Sequence, residues 1–154
     1  MQFRGDDVGG TDRARVDVNN VGIVSTSSYS TNTWHHLATV ETDETDHTAF
    51  LDGGSKGTST TSITYGTWAK TRIGILFTPS THEHDGTIGP VSMWNSALTD
   101  AQIAELGAGR NPKTLSVFPG LHLTMNGTPV DSIGALSFTD TGNESAGHKP
   151  LGWE

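Results

Sequence analysis

TWHHLATV (33–40), AFLDGGSKGT (49–58), TRIGILF (71–77) and HDGTIGPVSMWNSALTDAQIAEL (84–106) follow one another as strand, hairpin, strand, and strand with capped helix. In Trp34–Val40 the residues Trp34, His36, Ala38 and Val40 share one face, with His35, Leu37 and Thr39 on the other. This is the period of two expected of a strand, and it places Trp34 and Val40 in the core. Asp52-Gly53-Gly54 reads as a turn, because glycine takes positive φ without steric cost. Ile63–Trp68 and Thr71–Phe77 read as further short strands, and Gly86–Asn95 alternates well. Thr99 with Gln102 three residues on is a capping box, flanked by Leu98 and Ile103 as a hydrophobic staple. Gly107 is expected to end that helix at C′.

These motifs carry a resemblance. The Trp-His-His strand, the Phe50-Leu51-Asp52-Gly53 strand end, the Asp85-Gly86-Thr87-Ile88-Gly89-Pro90-Val91 strand with Trp94-Asn95, and the Leu98-Thr99-Asp100-Ala101-Gln102-Ile103 helix resemble the prokaryotic and phage branch of the laminin-G-like, concanavalin A-like jelly rolls. The resemblance implies an all-β fold, an antiparallel β-sandwich with one short α-helix near residues 99–106. It also implies a non-catalytic module that holds sugars, proteins or neighbouring capsid subunits. It is strongest over residues 33–111 and looser toward the C-terminus, where Leu123-Thr124-Met125 replaces a Trp-Pro-Leu core. The family's N-terminal strands have only a faint counterpart in Phe3–Asp7, so an exposed sheet edge is expected to need cover from an assembly. Residues expected in the core are Trp34, Leu37, Ala38, Phe50, Ile73, Ile88, Val91, Trp94, Leu98 and Ile103.

Upstream, Ala14–Val18 and Val21–Val24 flank Asn19-Asn20 and read as a hairpin, with Ser25–Asn32 as a loop. Downstream, Leu115–Phe118 and Leu121–Met125 read as strands. A chain of 154 residues is long enough for one hydrophobic core, and a single domain spanning 1–154 is expected. Charged residues make up only 17%, and the 19 glycines suit many short strands joined by turns. Without cysteine there is no disulfide scaffold. A net charge of −8 with 9 basic residues in no cluster argues against a nucleic-acid partner. No apolar run approaches the ~20 residues of a membrane span, and the opening MQFRGDDVGG does not read as a signal peptide.

Three constellations could carry chemistry. Glu41-x-Asp43-x-x-Asp46 is a near miss of the strand-borne carboxylates of glucanases with this fold class. Its plainer reading is a solvated hairpin loop, because the apolar neighbours that would raise an acid's pKa are missing. His82 and His84 would share a face if extended and could offer two nitrogens to a metal, with Asp85 beside them as a further candidate ligand. Calcium is a further possibility, held by Asp side chains and carbonyls, although no cofactor is required and no consecutive calcium loop is present. Two main functions follow: a virion surface protein (capsid decoration, fibre or knob) contacting other subunits, or a carbohydrate-binding module of a secreted bacterial protein contacting cell-surface glycans. A glycoside hydrolase is the third. The glycan reading needs exposed aromatics, yet Trp34, Trp68 and Trp94 all fall in expected strands and only Trp153 lies outside them.

Overall fold

The computed structural model describes residues 2–7, 12–18, 21–66, 87–124 and 130–131. Ile73 and the His82, His84 and Asp85 group lie outside the described residues. What is described is mostly strand in antiparallel sheets with a single α-helix, an all-β sandwich architecture. The chain divides into two compact units, one of residues 1–67 and 96–110, the other of residues 68–95 and 111–154.

The first unit holds two three-stranded sheets. One has the order β1 (Gln2–Asp7), β2 (Asp12–Val18), β3 (Val21–Ser28); the other has β4 (Leu37–Asp43), β5 (Asp46–Leu51), β6 (Gly54–Ser59). Val18 pairs with Val21, as the Asn19-Asn20 break predicts. Strand β3 runs on to Ser28, through residues the sequence suggests are loop. A register shift lies between Arg13 and Arg15. There the buried Ser25 Oγ accepts from the Ala14 N–H at 3.1 Å and donates to the Ser27 carbonyl at 2.7 Å. A serine at this position satisfies a backbone donor beside a bulge, which would otherwise be buried without a partner.

Val16, Ile23, Ala49 and Ile63 form the core of this unit, each 1% exposed. At full burial, Ile23 contributes on the order of 1.5–3 kcal/mol relative to exposure. Close approach of β3 to β6 requires Gly57: a Cβ there would lie 1.8 Å from the Val24 carbonyl oxygen. Strand β5 is buried on both faces, every residue from His47 to Leu51, whereas β4 has no buried residue. The alternation in Trp34–Val40 therefore misleads. Trp34 is 51% and Leu37 40% exposed, and Ala38 and Val40 are half-buried. The physical reason is position in the sheet: β5 lies between β4 and β6 and takes the core, while Trp34–His36 precede the ladder that begins at Leu37.

Asp52 and Gly53 join β5 to β6 as a two-residue turn between paired Leu51 and Gly54, with φ of 54° and 72°. Positive φ at both positions is the type I′ geometry that Asp-Gly favours. Helix α1 (Asp100–Gly107) follows the capping box: the Gln102 N–H donates to Thr99 Oγ1 at 3.3 Å and the Thr99 N–H to Gln102 Oε1 at 2.9 Å. Its buried residues are Ile103 and Leu106, and Leu98 just before the cap is buried as well. The C-terminus differs from the sequence expectation. Gly107 is still helical, and the left-handed residue is Gly109, φ 93°. The Gly109 N–H donates to the Leu106 carbonyl and the Arg110 N–H to that of Glu105, the two bonds of a Schellman motif. Gly107 is instead a packing glycine, since a Cβ on it would lie 2.4 Å from the Gly53 amide nitrogen. Lys56 of β6 reaches Asp100 in the first helical turn at 3.0 Å, adding a surface tie between the two.

The second unit contains β7 (Val91–Met93), β8 (Leu121–Thr124) and β9 (Val130–Asp131), in that order. Strand β7 is shorter than the alternation over 86–95 suggests, and Thr87–Pro90 are irregular; Pro90 has no N–H to give a ladder. Ile88, Val91 and Trp94 are half-buried where full burial is expected. The indole N–H of Trp94 donates to the Val117 carbonyl at 3.0 Å. Leu115–Phe118 form no strand, since a 3-10 turn at Pro112–Thr114, capped by Asn111, leads into them. In β7 and β8, Ser92 Oγ and His122 Nδ1 lie 2.7 Å apart across the paired register.

Candidate functional site

The chemistry-bearing side chains of the first unit gather at the two ends of the β4–β5 pair. At the end where β4 begins, Asp52 of the Asp-Gly turn faces back across the sheet. One carboxylate oxygen accepts from the His36 N–H at 2.9 Å, and the other lies 2.8 Å from His35 Nδ1. The Asp52 N–H donates to the His36 carbonyl at 2.8 Å. The far side of the His35 ring meets Ser30, with Nε2 3.0 Å from its carbonyl, and Tyr29 sits edge-on to the ring at 5.9 Å. The two histidines thus fasten the β3–β4 connection to the β5–β6 turn. Trp34, immediately before them, projects with half of its surface in solvent. His36 is half-buried, and its Nδ1 has no hydrogen-bond partner among the described residues. Burial holds its pKa below the ordinary imidazole value, against the opposing pull of the Asp52 charge.

At the other end, Glu41 of β4 pairs in register with His47 of β5. His47 is fully buried. Its Nε2 lies 3.1 Å from the Glu44 carbonyl oxygen and 3.0 Å from that of Thr61, and its Nδ1 lies 2.5 Å from Glu41 Oε2. The Tyr65 hydroxyl donates to the same Oε2 at 2.8 Å, and the Thr39 hydroxyl lies 2.9 Å from Oε1. Burial acts to lower the His47 pKa, but the hydrogen bond and charge of Glu41, with the two carbonyls, outweigh it and hold the pKa above the ordinary value. Burial and Glu41 push the Tyr65 phenol up to about 12. Asp43 plays a different part. Its Oδ1 accepts from the Thr45 N–H at 2.6 Å and the Thr45 hydroxyl at 2.9 Å, an Asx turn at the hairpin tip. Those bonds lower its pKa.

Of the three acids in the glucanase near miss, Glu41 is therefore an occupied strand residue, not part of a solvated loop, while Asp43 shapes the turn and Asp46 is exposed. A general acid needs a carboxyl held protonated near neutral pH, and Asp43 is shifted the opposite way. The sequence reading did not find His47 or Tyr65. A register counted back from the turn at 44–45 sets Thr42 opposite His47; the shift between Glu41 and Asp43 brings Glu41 there instead, and nothing local in the sequence marks it. The Tyr65 contact joins residues 24 apart and left no local signal.

Among the described residues no group of three or more His, Cys, Asp or Glu side chains is arranged to hold a metal, and no helix is long and apolar enough to cross a membrane. A laminin-G family model, described as the concanavalin A-like lectin/glucanases superfamily, matches residues 2–104. The matched span takes in β1 to β7 and most of α1. No curated protein and no solved structure matches the chain.

Proposed function

Because the chain belongs to the concanavalin A-like lectin/glucanase superfamily, we propose that it is a non-catalytic binding module whose ligand contact is built on Trp34. Domains of the laminin-G type are typically binding modules for glycans or proteins, and are usually extracellular or surface-exposed. The observation that carries the proposal is the indole of Trp34, 51% exposed beside residues locked to Asp52. A large amphipathic ring with little conformational freedom is what a sugar or protein surface stacks on at low entropic cost. The Asp52 carboxylate, 49% exposed, keeps acceptor capacity for ligand hydroxyls. Trp34 supplies the exposed aromatic that the expected strand assignment denied to the glycan reading, so a carbohydrate ligand is placed first.

The non-catalytic part of the proposal is supported by the engagement of Glu41 with His47 and Tyr65. A virion-surface placement, as capsid decoration, fibre or knob, draws its support from an acidic chain without cysteine; display on a longer secreted protein is the alternative. A glycan panel probed with the unaltered chain and with Trp34→Ala tests the proposal. Trp34→Ala is expected to weaken the strongest hits at least tenfold, about 1.4 kcal/mol, with no sugar released. Equal binding by both proteins, or hydrolysis of a β-glucan abolished by Glu41→Gln, contradicts it.

A further inference from the structure

We infer that Glu41, His47 and Tyr65 form a proton-operated latch, which fastens the tip of the β4–β5 hairpin to the segment after β6 while the His47 ring carries two protons, and loosens when it loses one. The ring is fully buried, so water does not share its hydrogen bonds. Nε2 faces two backbone carbonyls, Glu44 and Thr61, which can only accept; that nitrogen must carry a proton. Nδ1 faces a carboxylate oxygen of Glu41, another acceptor, and is satisfied by a second proton. The Tyr65 hydroxyl stands 3.3 Å from Nδ1 but 2.8 Å from Glu41 Oε2, and its proton goes to the carboxylate.

Either neutral tautomer breaks this arrangement. With the proton on Nε2, a ring lone pair meets the carboxylate; with it on Nδ1, a lone pair meets two carbonyls. A buried polar atom set against another acceptor has the cost of an unmade hydrogen bond plus repulsion. Among the described residues, the charged or titratable groups facing the ring are Glu41 from β4, Asp43 at the hairpin tip, and Tyr65 from the segment after β6. The first two are anionic and favour the imidazolium. Tyr65, with its phenol pushed up to about 12, stays neutral and remains a donor through the range in which the ring titrates.

The latch reaches the core through one atom. The Glu44 carbonyl that accepts from His47 also accepts from the Ile63 N–H at 2.8 Å, and Ile63 is 1% exposed in the core cluster. Thr61, two residues earlier, supplies the second carbonyl. Losing the ring proton therefore loosens the hairpin tip and the 61–65 segment together. Because the folded pKa is raised, the latch contributes fully below the ordinary imidazole value and is lost as pH rises through the folded pKa.

The test is ring-nitrogen NMR of the histidines in the full chain from roughly pH 5 to 10, read beside hydrogen exchange at the Ile63 amide, corrected for intrinsic rates. His47 is expected to show two protonated nitrogens at neutral pH and to titrate above the ordinary value of ~6.5. Ile63 protection should fall as that titration proceeds. In Glu41→Gln the burial remains and the carboxylate charge is gone, so the His47 titration should move below the ordinary value. A neutral His47 ring at neutral pH overturns the inference, as does Ile63 protection that ignores the ring's titration. The unaltered chain alone decides if the variant fails to fold.

Discussion

The two ends of the β4–β5 pair use the same partners, a histidine against a carboxylate, to opposite ends. At the Trp34 end the pair is near the surface: His35 and Asp52 lie 2.8 Å apart with the carboxylate half in solvent, and they hold a connection in place while an indole projects beyond it. At the Glu41 end the histidine is fully buried and the carboxylate is taken up by His47 and Tyr65. Depth decides the difference. In water-exposed surroundings a carboxylate can hold structure and still accept from a ligand, whereas a buried pair must satisfy itself and has nothing left for a substrate.

The largest expected effect breaks the buried end. Glu41→Ala takes the carboxylate from His47 Nδ1 and the nearest acceptor from the Tyr65 hydroxyl, so denaturant unfolding should show a loss of about 3 kcal/mol, the scale for breaking one side of a buried pair. At the surface pair, Asp52→Asn keeps a residue that tolerates the φ of 54° in the turn and removes only the charge, and should lose about 1 kcal/mol or less. Similar losses at both positions would remove the contrast between the two ends.

Next in size is Gly107→Ala. Alanine is the better helix former by about 1 kcal/mol, yet its Cβ would lie 2.4 Å from the Gly53 amide nitrogen and force the helix off the Asp52-Gly53 turn. A net destabilisation of about 1–2 kcal/mol is expected, and stabilisation in a melt would mean that Gly107 does not pack against the turn. Thr99→Ala should cost about 1 kcal/mol through loss of the acceptor for the Gln102 N–H.

The smallest effect sharpens the comparison through pH. His36, at the Trp34 end, has its pKa lowered by burial, so the stability it contributes is present above 6.5 and lost as pH falls through its folded value. His47 gives the opposite limb, lost on the alkaline side. Chemical denaturation across pH should show His36→Gln flattening only the acid limb, and a change confined to the alkaline limb would assign the two histidines the wrong way round.

Local signals were legible in the sequence. The Asp-Gly turn, the Val18–Val21 hairpin and the capping box of Thr99 and Gln102 each depend on residues within a few positions of one another, and each forms where the sequence places it. Facing was less legible. Period two assigns Trp34 and Val40 to one side of a strand, but which strand lies in the middle of a sheet depends on pairing across the whole chain. The five consecutive buried residues of β5 show the outcome, and His47 inside that run looks polar in sequence while being fully buried in structure. Gly107 looks like a helix stop for the same reason: the glycine signal is local, but the contact that requires it belongs to Gly53, more than fifty residues away.

The central claim, that Trp34 is a surface contact and not a core residue, is tested most directly by equilibrium unfolding of Trp34→Ala. A ring half in solvent predicts a loss of about 1 kcal/mol with the cooperativity of unfolding unchanged. A loss of about 3–5 kcal/mol, the cost of emptying a buried tryptophan site, would return Trp34 to the core and leave the proposed binding surface without its aromatic.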